Sequence, residues 1–143
     1  MTDEKFIFDF TGGERLGPEA VKCTYLLARR QDLSVEACHR TWLRDHGPLV
    51  ASFGKALHMA RYVQSHTVAP HLNDGFVASR GLAAPLDGIT EVWCASMEEL
   101  NAGGGADEGR RGGAALVEDE RRFVDMSRSR CFMTREHEIF DYR

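Results

Sequence analysis

Two hydrophobic rhythms share this chain. Residues 21–29, Val-Lys-Cys-Thr-Tyr-Leu-Leu-Ala-Arg, are dense in β-formers and too short for an amphipathic helix, which predicts a first core strand. A helix follows, with Ser34 as N-cap, Glu36 at the positive end of the dipole and Leu33 placed to staple against Cys38. Cys38, Trp42, Asp45 or His46, Leu49, Phe53 and Leu57 continue one stripe at helical spacing. Gly47-Pro48 interrupts that stripe, because proline lacks the backbone donor and crowds the preceding turn. A kink or a restart is expected there, with Pro48 tolerated in the new first turn.

Residues 59–68 alternate in character and predict a second strand, and residues 69–88, rich in Pro, Gly and Asn, predict a long connecting loop of the kind that carries function. Residues 89–95 predict a third strand. Ser96-Met-Glu-Glu99 is a capping box that opens a second helix. Residues 101–113 hold six glycines and predict a flexible loop. From 114 to 126 helical character resumes, with Leu116, Val117, Phe123 and Val124 on one side and a Glu-Asp-Glu-Arg-Arg surface on the other. Residues 131–140 predict the last strand. The order is βαββαβ, an α+β ferredoxin-like unit with a four-stranded antiparallel sheet and two helices on one face. Residues 1–18, with the strand-like Phe6 to Phe10, are expected to be an N-terminal extension to a single domain over 19–143.

Composition narrows the function classes. The chain has 143 residues, 43% hydrophobic and 28% charged, the profile of one globular domain. Its formal charge of −4 and scattered basic residues offer nucleic acid no footprint. No apolar run reaches membrane-spanning length and the acidic N-terminus is unlike a signal peptide, so a cytoplasmic protein with no membrane partner is expected. Cys23, Cys38, Cys94 and Cys131 show no C-x-x-C spacing, and neither a redox motif nor a zinc site is expected. They read as buried thiols in a reducing compartment.

The strands put apolar groups on both faces: Cys23 to Ala28, Val92 to Ala95 and Cys131 to Met133. Two helices cover one face only, and a large bare apolar patch is unusual on a monomer. A homodimer that packs sheet against sheet is therefore expected; the alternative is cover from Phe6–Phe10 and the long loop.

Trp42-Leu-Arg-Asp-His46-Gly-Pro, Arg61-Tyr-Val-Gln64, Asp87-Gly-Ile-Thr-Glu91-Val-Trp93, Glu118-Asp-Glu-Arg-Arg-Phe123 and Arg135-Glu-His137, in that order, resemble the landmarks of the EthD-like members of the dimeric α+β-barrel group. The resemblance spans nearly the whole chain. It implies a barrel dimer with an apolar cavity between sheet and helices, where proton transfer proceeds without a metal or cofactor. Relatives include lactone isomerases and enzymes that dehydrate, decarboxylate or cyclise polyketides. The implied function is a cofactor-independent lyase, isomerase or dehydratase/decarboxylase acting on a small hydrophobic carbonyl, lactone or aromatic metabolite. Two alternatives stand beside it: a non-catalytic binding or accessory subunit of an oxygenase pathway, and a haem-handling barrel.

His46, one turn beyond Trp42 on the inward stripe, is the candidate general base or acid, against a helix-terminal histidine that merely caps carbonyls. Tyr62 and Glu91 are candidates to polarise or orient a substrate. Tyr62 alternates onto one strand face with Gln64 and His66, and Glu91 with Trp93, so each set can converge on a cavity. An Arg61–Glu91 ion pair is the structural alternative. Trp42, Phe53, His66, Trp93 and Phe123 are the candidate substrate-binding residues, against plain packing. His137 lacks a partner at metal-ligand spacing, and Cys94 reads as core.

Overall fold

A computed structural model describes residues 16–143, so the N-terminal strand-like segment at Phe6–Phe10 lies outside the described residues. Four strands, β1 (Val21–Leu27), β2 (Arg61–His66), β3 (Gly88–Cys94) and β4 (Arg130–Thr134), form one antiparallel sheet in the order β2-β3-β1-β4. The expected βαββαβ frame is present. β4 is shorter than the sequence predicts, for a simple reason. It pairs with β1 from Leu26 back to Lys22, and β1 begins at Val21, so no ladder remains beyond Thr134.

The first helical arm runs from α1 (Val35–Thr41) through a π-turn (Trp42–His46) into α2 (Gly47–Phe53). Ser34 caps it by accepting the Ala37 amide at 3.1 Å. At the π-turn the Gly47 N–H reaches back five residues to the Trp42 carbonyl. The wider turn relieves the carbonyls that Pro48, in the first turn of α2, would otherwise crowd. It also corrects the facing: steps of four residues drift about 40° each on an α-helix. Here Cys38, Trp42, His46 and Val50 all stay buried.

Two segments expected as loops are helical. Residues 69–88 contain α3 (Pro70–Arg80), with Pro70 in its first turn and Gly81 as a left-handed C-cap at φ 64°. The glycine-rich residues 101–113 belong to α4 (Met97–Gly105) and α5 (Asp107–Glu120), separated by an extended Ala106. Three of their six glycines answer to packing. A Cβ on Gly103 would strike the Leu57 backbone, one on Gly109 the Gly103 carbonyl, and one on Gly112 the Phe53 ring at 2.7 Å. Close contact between α4–α5 and the end of the first arm removes the solvent exposure that disfavours glycine in a helix.

Register assigns the two sheet faces. Cys23, Tyr25 and Leu27 of β1 sit beside Val92, Thr90 and Gly88 of β3 and face the helices. Leu27, Cys38, Trp42, Phe123 and Val124 form the core there, each large apolar side chain stabilising by about 1.5–3 kcal/mol. Gly88 is required beneath Trp42, whose ring would stand 2.6 Å from an added Cβ. Lys22, Thr24, Leu26, Ile89, Glu91, Trp93 and Phe132 occupy the opposite face.

Candidate functional site

Where the first arm and α5 straddle the sheet, a mostly apolar cavity of about 260 Å³ lies between them, with His46, Tyr25, Tyr62, Thr90 and Glu120 among its polar groups. His46 is 5% exposed, and its Nδ1 lies 2.8 Å from Asp119 Oδ2. Asp119 accepts that N–H while its other oxygen lies 3.1 Å from Arg122 Nε. The imidazole is thus held in one orientation by its Nδ1. The Phe123 ring meets it edge-on at 5.2 Å and fixes its plane.

Tyr62 comes from β2. Gln64 Nε2 donates both to the Trp42 carbonyl and to the Tyr62 oxygen, each at 2.9 Å. The tyrosine oxygen is therefore occupied as an acceptor and its own proton remains free to be given. Burial pushes the Tyr62 hydroxyl up, against the pull of Gln64, so it stays a donor across the physiological range. Trp42 is fully buried and its indole N–H has no partner among the described residues.

Glu120 is the group the sequence reading missed. Read as part of a charged surface, Asp119 and Glu120 instead turn inward at the end of α5, and both are half-buried. Burial raises the Glu120 carboxyl above the usual range, although the nearby His46 and Tyr25 pull it down. The signal was present: Leu116, Glu120 and Phe123 fall at i, i+4 and i+7, the core stripe of that helix.

The predicted site residues divide between the two faces. His46, Tyr62, Trp42 and Phe123 meet at the cavity. Glu91 and Trp93 do not join them. Glu91 pairs with Lys22 at 2.5 Å rather than with Arg61. Arg61 stacks 4.4 Å over Trp93, whose indole N–H donates to Glu136. The reason is parity: both residues share a face, and the β1–β3 register turns it away from the helices. Phe53 packs against Gly112 outside the cavity. His66 stacks on Trp42 at 4.4 Å and donates from Nε2 to Gln64 Oε1 at 2.8 Å, so it braces the far side of the tryptophan. It borders a second, wider groove of about 580 Å³ between α3 and the strand ends, with Phe76, Leu86 and Ile89. That groove is larger, and the paired acid–base side chains lie in the smaller cavity. Among the described residues, no group of three or more His, Cys, Asp or Glu side chains can hold a metal ion. None of their helices is long and apolar enough to cross a membrane.

Solved structures share this fold. A hydroxynitrile lyase from Passiflora edulis is 14% identical with a TM-score of 0.56, covering 87% of this chain and 99% of its own. An EthD-like protein from Ralstonia eutropha is 17% identical at 0.55, covering 87% and 96%. An ethyl tert-butyl ether d (EthD) family protein from Bacillus halodurans is 17% identical at 0.54, covering 80% and 96%. At these identities the likeness is one of fold. No curated protein matches the chain. The EthD domain model matches residues 30–127, well over half of the sequence, and the chain belongs to the EthD family.

Proposed function

We propose that the protein is an acid–base enzyme in which His46 moves a proton on a small hydrophobic carbonyl or lactone compound. The observation that carries this reading is the buried His46–Asp119 pair at 2.8 Å on the wall of an apolar cavity. His46 Nε2 takes the proton from the carbon next to the carbonyl. The C–H electron pair becomes a C=C bond and the carbonyl electrons move onto oxygen, where the Tyr62 hydroxyl donates. Glu120, kept protonated more readily than a solvated carboxyl, is the second proton source. Return of the proton at another carbon gives isomerisation; alternatively the carbonyl re-forms as a β-hydroxyl leaves, taking the Glu120 proton to depart as water, which gives dehydration. The Passiflora neighbour is named a lyase, which agrees with this class without identifying a substrate.

A cavity of about 260 Å³ is just below the usual range for small-molecule sites, about 300–1,000 Å³, and favours a compact substrate. Trp42 and Phe123 supply its apolar wall. The working unit is a homodimer, supported by exposed Ile89 and Phe132 on the sheet face opposite α1, α2 and α5, where only α3 stands beside the Ile89 end.

The test is hydrogen–deuterium exchange next to the carbonyl across a panel of small ketones and lactones in deuterated water, followed by proton NMR. Exchange above background is expected for some members, with His46→Gln lowering the rate by about 100-fold or more. A compound that binds the wild type yet shows no exchange would support a binding subunit instead.

A further inference from the structure

The cavity wall carries a second reactive pair that the acid–base reading does not use. Cys23 on β1 and Cys131 on β4 both line it, and their Sγ atoms stand 3.1 Å apart. Register explains the approach. Cys131 is the partner of Tyr25 and Cys23 that of Met133, so the cysteines are diagonal neighbours on the same face of one antiparallel pair. Cys38 and Cys94 are buried elsewhere in the helix-side core.

We propose that Cys23 and Cys131 form a redox-active dithiol, with Cys131 as the thiol oxidised first by hydroperoxides and Cys23 as the residue that resolves it into an intrachain disulfide. Exposure divides the roles: Cys131 is open to solvent while Cys23 is half-buried behind it. The hydrogen bond between them strengthens the division. With Cys23 donating, the Cys131 thiol is drawn down to about 7, against the opposing effects of burial and Glu120. The same bond, with burial, pushes Cys23 up.

In the first step the Cys131 thiolate attacks a peroxide oxygen. An S–O bond forms and the O–O bond breaks, giving Cys131 sulfenic acid, with the leaving oxygen protonated to water or alcohol. In the second, Cys23 sulfur attacks Cys131 sulfur. The Sγ–Sγ bond forms, the S–O bond breaks, and the hydroxyl leaves with the Cys23 proton as water. Two electrons pass from the thiols to the peroxide, and a thiol reductant reverses the change. Bond formation needs an approach of about 1 Å from the observed separation, given a disulfide length near 2.05 Å. β4, a five-residue strand at the sheet edge, is the element free to move. The product ties that edge to the central β1 and removes the thiolate from the cavity wall. The proposal does not depend on His46 catalysis.

The experiment treats the fully reduced protein with one equivalent of hydrogen peroxide and follows intact mass, non-reducing electrophoresis and tryptic peptides. The expected product is a monomeric polypeptide lighter by about 2 Da, with peptides 23–29 and 131–135 cross-linked and restored by dithiothreitol. Cys23→Ser should stop at a Cys131 sulfenic acid trapped by dimedone, and Cys131→Ser should yield neither product. A cross-link between chains or through Cys38 or Cys94 overturns the proposal. So does a wild-type Cys131 that yields the dimedone adduct without joining Cys23. Native-state alkylation by iodoacetamide gives an independent reading: Cys131 must react at least tenfold faster than Cys38 and Cys94, and equal rates overturn its assigned role.

Discussion

At the scale of single residues, the cavity is organised by what fixes each proton. Asp119 holds His46 by one ring nitrogen, and Gln64 occupies the Tyr62 oxygen, which in the proposed chemistry makes one group the base and the other the donor. Asp119→Asn keeps the shape but can present its amide nitrogen to Nδ1, which favours the wrong tautomer. Under the proposed chemistry, proton exchange should fall by about tenfold or more, with little change in substrate Kd by calorimetry. Glu120 makes a second, separable prediction. Its carboxyl is raised in the folded state, so the folded protein holds the proton more tightly than the unfolded chain does. The resulting stabilisation is fully present below the ordinary carboxylate pKa and is lost as pH rises through the folded value. Glu120→Gln should therefore gain stability relative to wild type as pH is raised from acid to neutral. Urea midpoints across that range check it, and a constant difference between the two proteins would refute the assignment.

At the scale of elements, the glycine-rich helix pair is set by contact rather than propensity. Gly103 lies against the Leu57 backbone, whereas a Cβ on Gly113 of α5 meets nothing within 4 Å. Both positions are helical, so alanine gains up to about 1 kcal/mol of propensity at either. At Gly103 the overpacking cost of about 1–3 kcal/mol outweighs that gain, because the obstacle is main chain. Gly103→Ala should lower the urea midpoint and Gly113→Ala should raise it, a difference in sign that propensity alone cannot produce. The π-turn is the other decisive element, since it aligns His46 with Trp42 and Val50 while accommodating Pro48.

At the scale of the whole molecule, the first arm and α5 shelter one sheet face, and the other, which α3 borders at the Ile89 end, divides in two. Around Trp93 it is closed by Lys22, Arg61 and Glu136. Toward the opposite end Ile89 is 37% and Phe132 48% exposed. Burying that end against a second copy is the proposed dimer contact. Sedimentation at micromolar concentration should return twice the 16.0 kDa chain mass, and Phe132→Glu should shift the population to the single chain by placing a charge in the apolar contact.

The division of labour between local and long-range forces accounts for what the amino-acid order could disclose. β-former density around Val21, Val63 and Val92, the Ser34 and Ser96 caps, and the stripe through Cys38, Trp42 and His46 act over a few residues. They determined the βαββαβ order and set Trp42 and His46 on one helical stripe and Phe123 on another, both of which face the cavity. The helicity of residues 101–113 is invisible at that range, because glycine becomes favourable in a helix only once Leu57 and Phe53 press against it. α3 was announced only by Pro70 and Gly81, with a weak apolar stripe between them. Glu91 and Glu120 show the limit most clearly. Each is an acid within an apolar pattern, and alternation assigns Glu91 a face without saying which face the helices cover. Strand register and helix packing made that choice, sending Glu91 to Lys22 and Glu120 to the cavity with His46. Such pairings join residues far apart in the chain, and no local preference encodes them.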